Sequence, residues 1–139
     1  MTLFSRTLAV IFFTFPLTIL AEGKAPDSIP GTTKITAEGL IDLVDEMDDL
    51  VIIDSRIEKD RTDGFIEGAV ALPDVDTAPA TLVQHIPSKA TLVAFYCNGP
   101  KCGRSVKASK IALEAGYTNV YWFRGGWEEW RQKGFPASM

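Results

Sequence analysis

Histidine is almost missing from this 139-residue chain, with His85 the single instance, and cysteine is limited to Cys97 and Cys102. One histidine and two cysteines at these spacings do not make a zinc site, so no metal is expected. Nothing in the sequence calls for a cofactor. Positive charge is also scarce: the formal net charge is −4 at pH 7, and no stripe of Lys and Arg stands out. That balance argues against nucleic acid as a partner and suits an anionic membrane surface poorly. There is no internal repeat and no low-complexity tract, and the length allows one small domain.

Long apolar runs are confined to the N-terminus. Arg6 supplies a short positive region, Thr7 to Leu20 is almost wholly apolar, and small residues follow at Ala21, Gly23 and Ala25. The run is shorter than the roughly 20 residues of a spanning helix and is interrupted by Pro16. Residues 1–21 read as a secretory signal peptide, cleaved after Ala21 or Ala25, with an uncleaved anchor as the alternative. No cysteine near the cleavage site offers a lipid attachment point. The expected location is therefore periplasmic or secreted, with no membrane association beyond this segment. Residues 22–33 (EGKAPDSIPGTT) are rich in Pro, Gly and small polar residues and read as a linker, leaving residues 34–139 as the domain.

From Lys34 onward two textures alternate. Continuous apolar runs at Leu50–Asp54, Gly68–Leu72, Thr91–Cys97 and Asn119–Phe123 suit strands buried on both faces of a parallel sheet. Helical patterns lie between them at Thr36–Met47, Ala78–His85, Ser105–Ala115 and Trp127–Lys133. The alternation predicts an α/β fold with right-handed crossovers and chemistry at the carboxyl ends of the strands. Cys97 stands at that end of the most apolar run.

The segment YCNGPKCGRSVKAS, from Tyr96 to Ser109, joins that strand to a helix. Gly99 and Gly103 permit backbone conformations that turn successive N–H groups inward. The helix start adds unpaired N–H groups and the positive end of its dipole, and Lys101, Arg104 and Lys107 add full charges. Such a cradle holds an anion and lowers the pKa of a thiol at its centre. The bland alternative is a buried apolar cysteine at a strand end, which the Gly-rich basic loop counts against.

Four segments in order resemble the rhodanese family over nearly the whole mature chain. They are VIIDSR at Val51–Arg56, DGFIEGAVALP at Asp63–Pro73, the Tyr96-Cys97 loop running to Arg104-Ser105, and FRGGWEEWRQKGFP at Phe123–Pro136. The resemblance implies a rhodanese-like α/β fold with a central parallel sheet of about five strands and helices on both faces. It implies a sulfurtransferase in which Cys97 accepts a sulfane sulfur from a donor such as thiosulfate as a persulfide. A thiol or cyanide acceptor, the thiol small or carried by a protein, then takes that sulfur. By position, Asn98, Gly99, Pro100, Lys101, Cys102, Gly103 and Arg104 form the substrate-binding loop. Asp54 and Arg56 either brace that loop or form a fold-holding ion pair with no catalytic role.

Two departures from the family pattern matter. Phe65 stands where the family usually has His. The loop from Cys97 to Arg104 is longer than the family norm, which leaves the width of the cradle open. It also contains Cys102, five positions after Cys97. Cys102 either resolves a Cys97 persulfide, forms a regulatory or protective disulfide, or has no role; its sulfur meets that of Cys97 if the Cα atoms lie within about 7 Å. The alternative functions are a periplasmic dithiol oxidoreductase and a non-catalytic sulfur carrier. A phosphatase or arsenate reductase fits least, because the loop holds no acidic residue, unless an aspartate arrives from another connection. His85 reads as a surface or capping residue. Trp122, Trp127 and Trp130 read as packing, and the acidic run Asp42, Asp45, Glu46, Asp48 and Asp49 as a solvated helix face.

Overall fold

Three of the apolar runs become largely buried strands. The fourth, Gly68–Leu72, expected to be buried on both faces, becomes a short edge strand at Val70–Ala71 that is partly exposed because no strand among the described residues pairs beyond it in the sheet. The computed structural model describes residues 25–139; the expected signal peptide at residues 1–21 lies outside them. In chain order the elements are β1 (Thr33–Ile35), α1 (Ala37–Glu46), β2 (Val51–Asp54), β3 (Phe65–Ile66), β4 (Val70–Ala71), α2 (Pro79–His85), β5 (Val93–Tyr96), α3 (Arg104–Glu114), β6 (Val120–Phe123), α4 (Gly126–Gln132) and β7 (Ala137–Ser138). Short 3-10 turns occupy Glu58–Asp63 and Asp74–Asp76. Five strands form one parallel sheet in the order β1-β6-β5-β2-β4, while β3 and β7 pair antiparallel beside it.

Side chains alternate across β5, so each face of the sheet receives its own core. Ile52, Ala94, Tyr96 and Phe123 pack beneath α1 and α4, against Leu40, Trp127 and Trp130. Ile53, Val93, Phe95 and Val120 face α2 and α3, against Leu82, Ala108 and Ala112. Thr36 caps α1, its side-chain oxygen accepting from Gly39 N at 3.1 Å. α3 packs small residues on the sheet, so it lies close to β5 and β6, with which it makes its main contacts.

The fifth strand of the sheet is β1, which carries no apolar run. It is a short edge strand, Thr-Lys-Ile, exposed over most of its length, and hydropathy gives it no signal. The sequence places Thr33 in the linker and begins a helix at Thr36, so this strand falls between the two readings. The linker reading is itself corrected from Ala25 onward. Ala25 and Ile29 are 5% and 3% exposed and pack with Val106 and Trp122. Arg124 Nε donates to Pro26 O at 2.8 Å and Lys34 Nζ to Asp27 O at 2.7 Å. Two apolar side chains in a Pro-Gly-rich stretch are enough to seat it on the sheet edge. The Ile29→Ala variant is therefore expected to lose about 2 kcal/mol or more in urea unfolding; a free linker residue would shift stability by less than about 0.5 kcal/mol.

Candidate active site

A charge at the end of β2 organises this end of the sheet. Asp54 is fully buried, and a carboxylate there needs donors. Arg56 Nε bonds both of its oxygens, at 3.0 and 3.2 Å, and Arg56 Nη2 bonds Oδ2 at 2.9 Å. Arg61 Nη1 and the Tyr96 hydroxyl each donate to Oδ2 at 2.7 Å, and Arg56 N donates to Oδ1 at 3.0 Å. Burial pulls against the charged form of Arg56, but the hydrogen bonds and charge of Asp54 outweigh it and hold the proton more firmly than usual. Burial, and then the charge of Asp54, push the Tyr96 phenol far above its ordinary value, so it remains a donor.

Arg56 extends this centre outward. It donates to Asp60 O and Gly64 O, both at 2.8 Å, which closes the 56–64 connection. Its guanidinium lies over the Trp127 ring at 5.2 Å. The fixed connection then presents Asp60 to the loop: Asp60 Oδ2 accepts from Asn98 Nδ2 at 2.8 Å and lies 3.5 Å from Arg104 Nη1. Asp54 and Arg56 thus brace the loop through Asp60 without touching it.

Cys97 follows β5 and is 2% exposed. Its carbonyl accepts from Trp127 N at 2.9 Å and that of Asn98 from Glu128 N at 2.8 Å, so the first turn of α4 seats the loop. Gly126 makes this approach possible: its φ is +58°, and a Cβ there would run into the Cys97 carbonyl group. Gly99 and Gly103 serve differently from expectation, since neither has a positive φ. Gly99 is needed for space, because a Cβ would come within 2.7 Å of Glu128 Oε2. Gly103 is the N-cap of α3. The amides of Asn98, Gly99, Lys101 and Gly103 donate to no acceptor among the described residues.

The side-chain charges are less free than the sequence implies. Arg104 lies between Asp60 and Asp74, its Nε 3.4 Å from Asp74 Oδ1, and Lys107 Nζ is 3.3 Å from Asp74 Oδ2. The Arg104 contact with Asp74 is an ion pair without hydrogen-bond alignment, so Asp74 Oδ1 has no directed donor. Lys101 is exposed. The unpaired loop amides and the start of α3 thus stand beside Cys97 while two of the three basic side chains are paired with carboxylates. Asp60, Arg61 and Asp74 escape the sequence reading because they sit in charged stretches that look solvated.

Cys102 is joined to Cys97 by a disulfide, with Cα atoms 6.1 Å apart. A turn brings it back: Cys102 N donates to Gly99 O at 3.0 Å, with Pro100 and Lys101 at the corner. Pro100 O accepts from Ala25 N at 2.8 Å, so the N-terminal segment clamps the turn. The extra length of the loop is taken up by this turn. His85 lies apart from the loop, in the last turn of α2. Trp122 donates from its indole to Ser105 Oγ at 3.0 Å inside the core, consistent with packing.

Residues 36–133 match the rhodanese-like domain family. The chain belongs to that family. This rhodanese-like protein is 30% identical over 96 residues to a rhodanese domain-containing protein of Drosophila melanogaster, covering 61% of this chain and 85% of the relative. Its fold resembles a Bacillus halodurans protein, with a TM-score of 0.68, 23% identity and 77% of each chain covered. It also resembles a thiosulfate sulfurtransferase from Pseudomonas aeruginosa, with a TM-score of 0.64 and 24% identity. That likeness covers 77% of this chain and 20% of the other.

The buried charge centre of the rhodanese-like domain gives a direct test. Arg56→Ala leaves Asp54 buried with fewer donors and opens the 56–64 connection, and is expected to cost about 3–5 kcal/mol in urea unfolding. Arg61→Ala removes a partly exposed donor and is expected to cost less than half as much in the same assay.

Proposed function

We propose that this rhodanese-like protein is a sulfurtransferase that carries sulfur on Cys97 in a periplasmic or otherwise extracytoplasmic compartment. The supporting observation is the position of Cys97, at the carboxyl end of β5, beside the start of α3 and among loop amides that have no acceptor among the described residues. Such amides stabilise a thiolate, and then a persulfide anion, without reorganising. The Cys97 thiolate attacks the sulfane sulfur of a donor such as thiosulfate. The sulfur–sulfur bond of the donor breaks, sulfite leaves with the electron pair, and Cys97 holds the sulfur as a persulfide. An acceptor thiolate or cyanide then attacks the outer sulfur, and Cys97 leaves as the stabilised thiolate. The reaction uses the reduced form of the loop, so the Cys97–Cys102 bond must first be opened by a reductant.

The disulfide also favours a second reading, in which Cys97 and Cys102 serve as a dithiol oxidoreductase. The phosphatase reading gains less. Asp60 and Asp74 do reach the loop from other connections, but there they accept hydrogen bonds from Asn98 and Lys107 and form ion pairs with Arg104.

Brief exposure of the reduced protein to thiosulfate, with sulfite assayed in solution, separates the readings. A sulfurtransferase releases sulfite, and Cys97→Ser abolishes the release. A dithiol oxidoreductase forms its disulfide with other oxidants and releases no sulfite from thiosulfate.

A further inference from the structure

Resting on the persulfide reading, we propose that Cys102 resolves the Cys97 persulfide within the chain. The sulfur leaves as hydrosulfide, and a protein dithiol reopens the resulting disulfide. Three features of the loop carry this. The two sulfurs are bonded in the folded loop, with Cα atoms 6.1 Å apart, so the path from Cys102 to Cys97 Sγ is already built. The position of Cys102 is held from two sides, by the turn bond from Cys102 N to Gly99 O and by the bond from Ala25 N to Pro100 O. A thiol fixed in this way acts at an effective concentration that no free small thiol reaches. Finally, the two cysteines differ in access: Cys97 is 2% exposed, while Cys102 is half-buried.

The chemistry balances without any other group. The Cys102 thiolate attacks Cys97 Sγ, the inner sulfur of the persulfide. The bond from Cys97 Sγ to the outer sulfur breaks, and the outer sulfur departs with the electron pair and a proton as hydrosulfide. Two cysteine sulfurs are oxidised to a disulfide, and one sulfane sulfur is reduced to sulfide. The dithiol reductant supplies the two electrons that restore the loop. Its first thiolate attacks the accessible Cys102 sulfur, and Cys97 leaves as the thiolate that the loop amides stabilise. Its second thiol attacks the mixed disulfide and frees Cys102. With thiosulfate as donor, the cycle turns thiosulfate and a dithiol into sulfite, hydrosulfide, a disulfide and a proton. The substrate class is thus a sulfane-sulfur anion, and the partner is a dithiol protein rather than a sulfur-accepting small thiol.

The test is a single turnover. The mature protein is reduced, the reductant is removed, and one equivalent of thiosulfate is added with no acceptor present. Sulfite, hydrosulfide and intact mass are then measured. Wild type is expected to release about one hydrosulfide per sulfite and to end as the Cys97–Cys102 disulfide with no retained sulfur. In Cys102→Ser the hydrosulfide released per sulfite falls close to zero, and the sulfur remains on Cys97 in the peptide map. The ratio is independent of how fast the variant turns over. Wild type that releases sulfite but keeps the sulfur, on Cys97 or on Cys102, overturns the proposal and leaves the persulfide reading standing. Absence of sulfite from wild type overturns both. Should Cys102→Ser fail to fold, the wild-type mass and hydrosulfide yield decide alone.

Discussion

A carboxylate buried without donors is too costly for a domain of this size to tolerate, and Asp54 is buried completely at the end of β2. Its demand for hydrogen bonds organises the region. Tyr96, opposite Asp54 in the β2–β5 register, answers from the neighbouring strand. Arg56 answers from the same chain end, and its remaining donors fix the 56–64 connection at Asp60 O and Gly64 O. Trp127, on α4, lies against the same guanidinium. One buried charge thus ties together two strands, a connection and a helix, and all four border the Cys97 loop. Asp60, presented by the connection, and Trp127 N, donated by the helix, are the points where this order reaches the loop itself.

The electrostatics of Cys97 follow from how these supports are arranged. Basic side chains attract anions but are flexible and are easily neutralised by neighbours, and here Arg104 and Lys107 are met by Asp60 and Asp74. Backbone amides held by a turn and a helix start cannot swing away, and those of Asn98, Gly99, Lys101 and Gly103 meet no acceptor among the described residues. On the proposed reading, a thiolate or persulfide at Cys97 draws on such preorganised dipoles. The paired side chains contribute differently, holding the start of α3 against the Asp74 turn.

How far the sequence reveals this depends on whether a feature leaves a local pattern. The buried strands do, because a strand covered on both faces must be apolar throughout, as at Val93–Tyr96. The helices do, and the four runs expected to be helical coincide with α1 to α4 within about a residue or two at each end. The place of the Cys97 loop is legible because glycines and a proline interrupt the chain between a buried strand and a helical pattern. β1 leaves no pattern, being polar, exposed and positioned only by its pairing with β6. Ala25 and Ile29 are lost in a Pro-Gly-rich stretch whose composition signals a linker. Asp60, Arg61 and Asp74 are invisible for a related reason: a charged residue in a charged run looks solvated until the tertiary structure supplies its partner.

The length of the Cys97–Arg104 loop fits the proposed role of Cys102. A longer loop widens an anion cradle only if the added residues stay on its rim. Here Gly99 to Cys102 fold back into a turn, closed by their own hydrogen bond and clamped at Pro100 by Ala25. The added length brings a second sulfur onto the first instead of enlarging the opening. Of the two residues, Cys97 is buried and Cys102 is half-buried, so Cys102 is the more accessible. In thiol exchange the sulfur with the better-stabilised thiolate is the better leaving group, and the exposed sulfur is the one an incoming thiolate reaches. In the proposed cycle the same asymmetry governs both directions of the disulfide: Cys97 is released on reduction, and Cys102 attacks when Cys97 carries a persulfide. A loop with both cysteines equally exposed would lack that order, and an incoming reductant would attack either sulfur.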